Sequence, residues 1–584
     1  MRTNPSTFTK TGQVRSVGTF FSEHRIRWVF RGLALITAAV QTFAVRNAIN
    51  SDGRSYLEVA RAFLRHDWKM AANSYWGPLY SWILMPFLGL INPSLRHEFP
   101  LAHLINFGLF LVCAVAFEFF WTRLLAYRTL KTDASIHPRL LSDKVLWILG
   151  YTSFISLMSD LLAFVNPDLT LAILVFFVSG VMLQIISTAE VPTRLFVWLG
   201  ILFGVGYLAK AVMFPMGFVF LAMLAGSKSR NLARVGLTLM IFLSISAPEI
   251  IWLSISKGYP TFSGTGKLAY AWYTYDLPIL HWQGQPPGSG IPVHPTRKIY
   301  SHPDVYEFNG PIRSAYPPWY DPSYWNEGMS PHFQFSRVAN HFVTTFISSL
   351  WMVCVPRAFI LGIAVLFLLA DPIATLKNAV HYWPLWIITA AVFAAYSITL
   401  AIPRYYAPWQ LLLWGPLICS IQLRHRFIPT RVCLWIAVGA AVLMFASQAR
   451  WINWQLHHAR EDDGTPDYGT AEGLQKIGLT SGDKVAAIGF DEVAQWAYLG
   501  RFFIVAEVNS WNACEFWQSP PAIQAEVLGK FRQSGASAVV ANTGGGMMIR
   551  TRSGAPPIDQ RACARPDVGW RKIEGSANYA YLLN

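Results

Sequence analysis

The sequence predicts a mainly α-helical, polytopic membrane protein with a small C-terminal α/β domain. Three observations carry that expectation. The 584 residues are 53% hydrophobic and only 14% charged, where soluble chains carry about a quarter charged residues. Apolar runs long enough for a helix to cross the hydrocarbon layer recur along the first 450 residues, and mean hydropathy is +0.34. From about residue 466 the pattern changes to short apolar strands between polar helical segments.

The formal net charge of +15 does not call for a nucleic-acid partner. Most Lys and Arg sit in short loops between apolar runs, the pattern of loops facing the cytoplasm. Cys113, Cys354, Cys419 and Cys433 lie in or near apolar runs, where cysteine packs as a small hydrophobe. Cys514 and Cys563 lie in the last domain and could pair in an oxidising compartment; sequence leaves that open.

The elements follow in order. Residues 1–27 form a polar, basic tail, and the apolar run that follows resembles a signal anchor more than a cleaved signal. The first span, about 28–48, runs outward from an N-terminus held inside by Arg2, Lys10, Arg15, Arg25, Arg27 and Arg31. An outer loop, 49–98, follows. Within it, Ser51 to Asp67 spaces Tyr56, Val59, Phe63 and Leu64 as an amphipathic helix lying on the membrane. Residues 77–91 are apolar but short and read as a re-entrant or interfacial helix. The span 99–122 returns inward to Arg123, Arg128, Lys131, Arg139 and Lys144.

Residues 144–164 and 168–187 make the next pair, and 195–208 with 212–226 a short hairpin with Lys210 at its outer tip. Residues 235–253 lead to a long outer loop, 254–335, rich in Tyr, Trp, Pro and Gly; long ordered loops are usually functional. After a partly amphipathic segment at 333–352, spans at 355–370, 381–401, 405–422 and 432–449 complete about eleven. The linker 451–465 and the domain 466–584 then lie outside. In that domain Ala471–Ile477 and Ala522–Gln533 read as helices, and Lys484–Ile488, Phe502–Val508, Ala538–Ala541 and Tyr579–Leu583 as strands. Gly544–Gly546 precedes no helical pattern, so no phosphate loop is read there.

Placed this way, five charged residues gather at the outer boundary: Asp52 and Arg54 after the first span, Asp168 at the start of another, Lys210, and Arg404 between two late spans. Each also has a plain reading. Ser51 or Asp52 suits a helix cap. Asn166-Pro167-Asp168 suits a cap, a first helical residue and a partner for the helix dipole. Lys210 can mark a helix break, and Arg404 can snorkel to the interface. Their agreement on one side points to chemistry, because charges at membrane depth tend to face a cavity. A carboxylate there can take a proton from an acceptor hydroxyl or amine. Lys and Arg can hold a phosphate leaving group. An apolar groove between helices takes a lipid tail.

With those residues in place, the chain resembles the GT-C membrane glycosyltransferases, such as the protein O-mannosyltransferases and the aminoarabinose transferases of lipid A. The resemblance covers about 28–450. It rests on Ser51-Asp52-Gly53-Arg54-Ser55-Tyr56, on Gly77-Pro78-Leu79-Tyr80, on Asn166-Pro167-Asp168, on Gly206-Tyr207-Leu208-Ala209-Lys210 and on Pro403-Arg404-Tyr405-Tyr406. It implies Asp52 as the catalytic carboxylate and Asp168 in the same site. It also implies Lys210 and Arg404, with Arg54, on the phosphate of a polyprenyl-phosphate sugar donor. Gly53 departs from the second acidic residue of the mannosyltransferases, which speaks against a metal held by an acidic pair.

In the long loop, Tyr324, Trp325, Asn326 and Glu327 suit sugar recognition by stacking and hydrogen bonding, or a loop that packs on itself. His281, His294, His302 and Asp304 match no standard metal spacing, so no metal or other cofactor is indicated. The expectation is a sugar transferase of the plasma (inner) membrane. Its partners are the lipid-linked donor, membrane lipids and an acceptor that is protein, lipid or glycan. Two rivals remain: a lipid-linked sugar transporter or flippase, which the lack of internal repeats disfavours, and a non-catalytic assembly protein.

Overall fold

The computed structural model describes residues 22–131, 139–188, 190–226, 231–275, 296–308, 332–354, 357–425, 428–461, 466–490, 494–510, 512–542 and 569–583. Among these, five helices are long and apolar enough to cross a membrane: Glu23–Val45, Leu95–Lys131, Asp168–Ser187, Leu232–Lys257 and Thr430–His457. A sixth results if Pro372–Val380 and Trp383–Ile398, bent by 83° at their junction, form one span. Pro78–Ile91, Thr193–Ala209, Met213–Gly226 and Phe359–Leu368 are apolar but shorter.

Helix α1 (Glu23–Val45) begins five residues before the expected span, with the Ser22 side chain accepting from the Arg25 N–H at 3.3 Å. The extension is stable because the basic residues find a partner. Arg27 and Arg31 both bind Glu118, at 2.9 and 2.6 Å, and Tyr151 also bonds that carboxylate. Glu118 lies on α5 (Glu98–Lys131), which crosses beside α6 (Asp143–Leu161) and α7 (Asp168–Ser187).

Between α1 and α5 lie α2 (Ser51–Leu64), α3 (Trp68–Ala71) and α4 (Pro78–Ile91). Sequence expects α2 on the membrane surface with one face exposed. The structure corrects this: Gly53 to Ala60, Ala62 and Phe63 are all buried. The covering comes from the C-terminal domain, whose apolar residues join those of α2 and α4 in one core. Tyr56, Leu57, Tyr80 and Leu84 share it with Tyr468, Leu474, Trp496 and Tyr498.

The hairpin is α8 (Thr193–Ala209) and α9 (Met213–Gly226), followed by α10 (Leu232–Lys257), which packs along α8. A short helix α11 (Thr265–Ala269) follows. Later come α12 (Phe335–Val353), α13 (Arg357–Leu368), α14 (Pro372–Val380), α15 (Trp383–Ile398), α16 (Pro403–Ser420) and α17 (Thr430–Glu461). Helix α17 runs on through most of the expected linker, since 451–461 holds neither Gly nor Pro to stop it.

Among the described residues the strands form one seven-stranded mixed sheet in the order β1-β2-β4-β3-β5-β7-β6. Strands β3 (Lys484–Ile488), β4 (Phe503–Val508) and β5 (Ala538–Ala541) are parallel at its centre. Strand β7 (Tyr579–Leu582) adds antiparallel to β5, and β6 (Arg571–Lys572) to β7. The other edge comes from elsewhere in the chain. Strands β1 (Thr296–Tyr300) and β2 (Val305–Phe308), from the long loop, extend the sheet through β2 on β4. Cys514 is disulfide-bonded, while Cys113, Cys354, Cys419 and Cys433 are free; Cys563 lies outside the described residues.

Candidate functional site

Four chain segments far apart in sequence bring their charges to one point. Asp52 stands in the first turn of α2 and Asp168 opens α7. Lys210 occupies the break between α8 and α9, and Arg404 is the second residue of α16. The Arg404 guanidinium donates to Asp52 Oδ2 at 2.7 Å and lies 3.7 Å from Asp168 Oδ2. Lys210 Nζ donates to Asp168 Oδ1 at 2.7 Å and sits 3.6 Å from the centre of the Tyr405 ring. The Trp76 indole N–H points at Asp52 Oδ1, 3.3 Å away.

Local sequence explains the placement. Asn166 Oδ1 accepts from the Asp168 N–H at 3.0 Å, closing a turn that presents Asp168 at the helix start. The Asn50 side chain accepts from the Val165 N–H at 3.1 Å, tying the approach to α2 to the approach to α7. Gly77 lets the Trp76 segment lie across the end of α8. A Cβ there would meet the carbonyl oxygens of Leu208 and Ala209 at 2.5 and 3.0 Å, so two of the sequence motifs touch through this glycine. Gly53 is equally constrained: a Cβ would come within 2.9 Å of Ile49 and Val165. Its departure from the acidic residue of the mannosyltransferases thus has a packing reason.

The four charged groups line a cavity of about 100 Å³ walled by Tyr56, Tyr75, Trp76, Tyr273, Tyr396 and Tyr405, with Asn166 and Thr265 among its polar groups. Asp52 and Arg404 also border a second cavity of about 560 Å³. That one is mostly apolar, lined by Leu157, Leu161, Phe164, Met352, Ile402 and Trp451, with Asp160 and Gln410 as polar points. Burial lowers the Lys210 ammonium below the usual lysine range, against the opposing pull of Asp168. Burial also holds the Tyr75 phenol well above its usual range, so that wall stays neutral. One acceptor position is left open: Asp168 Oδ2 is buried without a hydrogen bond.

Arg54 stands apart from these four charged groups. It is 3% exposed, does not line the cavity, and donates to Gln495 Oε1 of the C-terminal domain at 3.3 Å. On a helix, residues two apart face different ways. Reading Ser51 onward as helical therefore already separated Arg54 from Asp52, while Tyr56, one turn on, shares Asp52's face. Sequence reasoning passed over the aromatic wall, although Tyr56 and Tyr405 stand inside the quoted motifs and Trp76 directly precedes one. Tyr324, Trp325, Asn326 and Glu327 lie outside the described residues, as do His281 and His294. His302 instead meets Glu515 at 3.2 Å, and Asp304 pairs with Lys298 at 2.6 Å.

Comparison with known proteins agrees with this architecture. No protein-family model matches the chain. No curated protein matches it in sequence either. Among solved structures, it is similar to ArnT from Cupriavidus metallidurans bound to undecaprenyl phosphate. The identity is 13%, covering 95% of this chain and 97% of that one, with a TM-score of 0.50. The apo form of the same enzyme aligns at 15% identity over 90% and 94%, TM-score 0.47. The oligosaccharyltransferase of Archaeoglobus fulgidus aligns at 12% over 88% and 69%, TM-score 0.42. The first likeness shows the fold, and the other two add nothing to it. The chain is an integral membrane protein with the GT-C fold.

Proposed function

We propose that the protein transfers a sugar from a polyprenyl-phosphate donor to an acceptor at the outer face of the plasma (inner) membrane, with Asp52 as the base. The observation that supports this most is the convergence of two carboxylates and two cations, from four separate segments, on one aromatic-walled cavity. Aromatic walls suit a sugar ring, and a basic pair suits a phosphate. The similar ArnT structure was solved with undecaprenyl phosphate. The topology that fits has about eleven spans, basic loops inside, and the C-terminal domain outside.

The reaction follows from the charges. Asp52 takes the proton of the acceptor hydroxyl as its oxygen attacks the anomeric carbon. The bond from that carbon to the phosphate oxygen breaks, and the polyprenyl phosphate leaves with the bonding pair. Lys210 and Arg404 neutralise the charge that develops on it. Attack opposite the leaving group inverts the anomeric centre. In the free protein Arg404 is engaged by Asp52 and Lys210 by Asp168. A donor phosphate would draw both cations toward itself and leave Asp52 ready to accept a proton. Asp168 keeps Lys210 aimed at the cavity. The apolar cavity on the other side of Asp52 and Arg404 offers room for hydrocarbon.

The test uses purified protein in nanodiscs with a panel of polyprenyl-phosphate sugars, following release of polyprenyl phosphate. Release by the native chain and none by Asp52→Asn is expected. Equal release by both, or none from any donor by the native chain, would sink the proposal.

A further inference from the structure

Three residues on the wall of the aromatic cavity each carry a buried polar atom with no hydrogen bond among the described residues. The atoms are Asn166 Nδ2, Asp168 Oδ2 and the Tyr396 hydroxyl. Unpaired buried polar atoms are uncommon, because each costs free energy until something bonds it. Three around one cavity call for a ligand. Asn166 and Tyr396 are 4% and 6% exposed, and the proton and phosphate chemistry uses neither.

Their neighbours fix what each atom can do. Asn166 Oδ1 accepts from the Asp168 N–H at 3.0 Å, a bond the amide nitrogen could not make, so Nδ2 is the free end. Tyr396, on α15, stacks on Tyr405 with ring centres 5.2 Å apart and meets Tyr406 edge-on at 5.4 Å. The Asp168 charge acts on the Tyr396 hydroxyl without bonding it. Asp168 itself is held through Oδ1 by Lys210, which leaves Oδ2 to accept. The set is one donor, one acceptor and one hydroxyl that does either.

That set discriminates between ligands. An ammonium only donates, so it would leave Asn166 Nδ2 facing another donor. A carboxylate would meet the Asp168 charge. A hydroxyl donates and accepts, and neighbouring hydroxyls on one sugar ring offer both functions together. The cavity of about 100 Å³ has room for roughly seven to ten water-sized groups, which suits one ring.

We infer that Asn166 and Tyr396 select the donor's sugar, as a single neutral ring read through its hydroxyls. One hydroxyl donates to Asp168 Oδ2 and accepts from Tyr396. Asn166 Nδ2 donates to another. A site built to bond a hydroxyl rejects the analogue that lacks it, because its own polar groups are then left unpaired. This selection rests on the transferase reading, so its test reads binding and not turnover.

The experiment uses the full chain in nanodiscs and measures equilibrium binding. Polyprenyl phosphates carrying glucose, galactose or mannose are ranked against polyprenyl phosphate alone, and the tightest is compared with its monodeoxy forms. The native chain should bind that donor about 10-fold or more tighter than the bare lipid phosphate, and at least one monodeoxy form roughly 10–100-fold more weakly. Tyr396→Phe keeps the ring and removes the hydroxyl. It should bind bare polyprenyl phosphate as the native chain does, yet no longer distinguish that deoxy form. A native chain indifferent to the sugar and to every missing hydroxyl would mean that water alone completes these groups, and would overturn the inference. So would an amino sugar donor that binds more tightly than its hydroxyl counterpart, or a Tyr396→Phe protein that discriminates as the native chain does or weakens both ligands equally. Should Tyr396→Phe fail to fold, Asn166→Asp decides. It keeps Oδ1 for the turn and loses the donor, so unchanged discrimination overturns the inference. Discrimination in binding without release of polyprenyl phosphate would uphold the sugar site and sink the transferase reading alone.

Discussion

Two charge clusters sit on opposite sides of α2, built from the same residue types, and they differ in what they leave undone. Beneath the helix, Glu98 takes four hydrogen bonds. Arg61 gives two, at 3.1 and 2.7 Å, Arg501 gives one at 2.9 Å, and the Tyr498 hydroxyl one at 2.6 Å. Glu58 lies between Arg65 and Arg501, at 3.7 and 3.6 Å. On the other side, Asp52 and Asp168 share two cations beside an open cavity, and Asp168 Oδ2 has no hydrogen bond. A saturated buried network fixes structure, because a removed partner leaves a charge uncompensated. An unsaturated one at a cavity leaves capacity for a ligand. The first cluster docks the C-terminal domain, and the second is the candidate site.

Substitutions can break or sharpen this contrast. The largest effect is expected at Asp52. Loss of a general base typically costs about 10²–10⁴-fold, so Asp52→Asn should cut polyprenyl-phosphate release by that order while the unfolding midpoint stays near native. Glu98→Gln should do the reverse. It strips Arg61 and Arg501 of their shared charge at a cost of about 3–5 kcal/mol. The reading is a lower unfolding midpoint and faster proteolytic release of the C-terminal domain. A stable Glu98→Gln protein that had lost turnover would erase the distinction between the clusters.

Lys210→Met should lower turnover by about 10²-fold, with weaker donor binding and little change in unfolding. The ammonium also sets a pH dependence. Burial depresses it, so it loses its proton as pH rises at a lower pH than an ordinary lysine. Donor binding to the free protein should therefore fall on the alkaline side, and Lys210→Arg should push that limb to higher pH. Titrating donor binding against pH for both proteins checks this. The smallest effect is expected at Arg54, which faces Gln495. Arg54→Ala should cost about 1–3 kcal/mol of stability and leave the KM for donor unchanged. A raised donor KM would return Arg54 to the site.

Much of the fold was legible because it rests on local patterns. Apolar length marks α1, α5, α7, α10 and α17, and short apolar runs bounded by turn residues mark β3 and β5. Loop charge also led to the expectation that Asp52, Asp168, Lys210 and Arg404 share one side, and the structure brings these four side chains together. Less legible was anything made by contact between distant segments. Nothing in 296–308 announces that it completes the edge of a sheet whose other strands begin at Lys484. The moment of α2 reads as a surface helix because its periodicity cannot say which neighbour covers the polar face.

The sequence alone therefore indicated a mainly helical chain with several apolar spans and the strands and helices after residue 466, and it singled out Asp52, Asp168, Lys210 and Arg404 as candidates, all through hydropathy, periodicity and loop charge. Tertiary structure decided which charges meet. Helical geometry and long-range packing send Arg54 to Gln495 and Arg404 to Asp52, across 441 and 352 residues of chain. Packing also decides which polar groups stay unsaturated, because that depends on every neighbour at once and not on any local stretch.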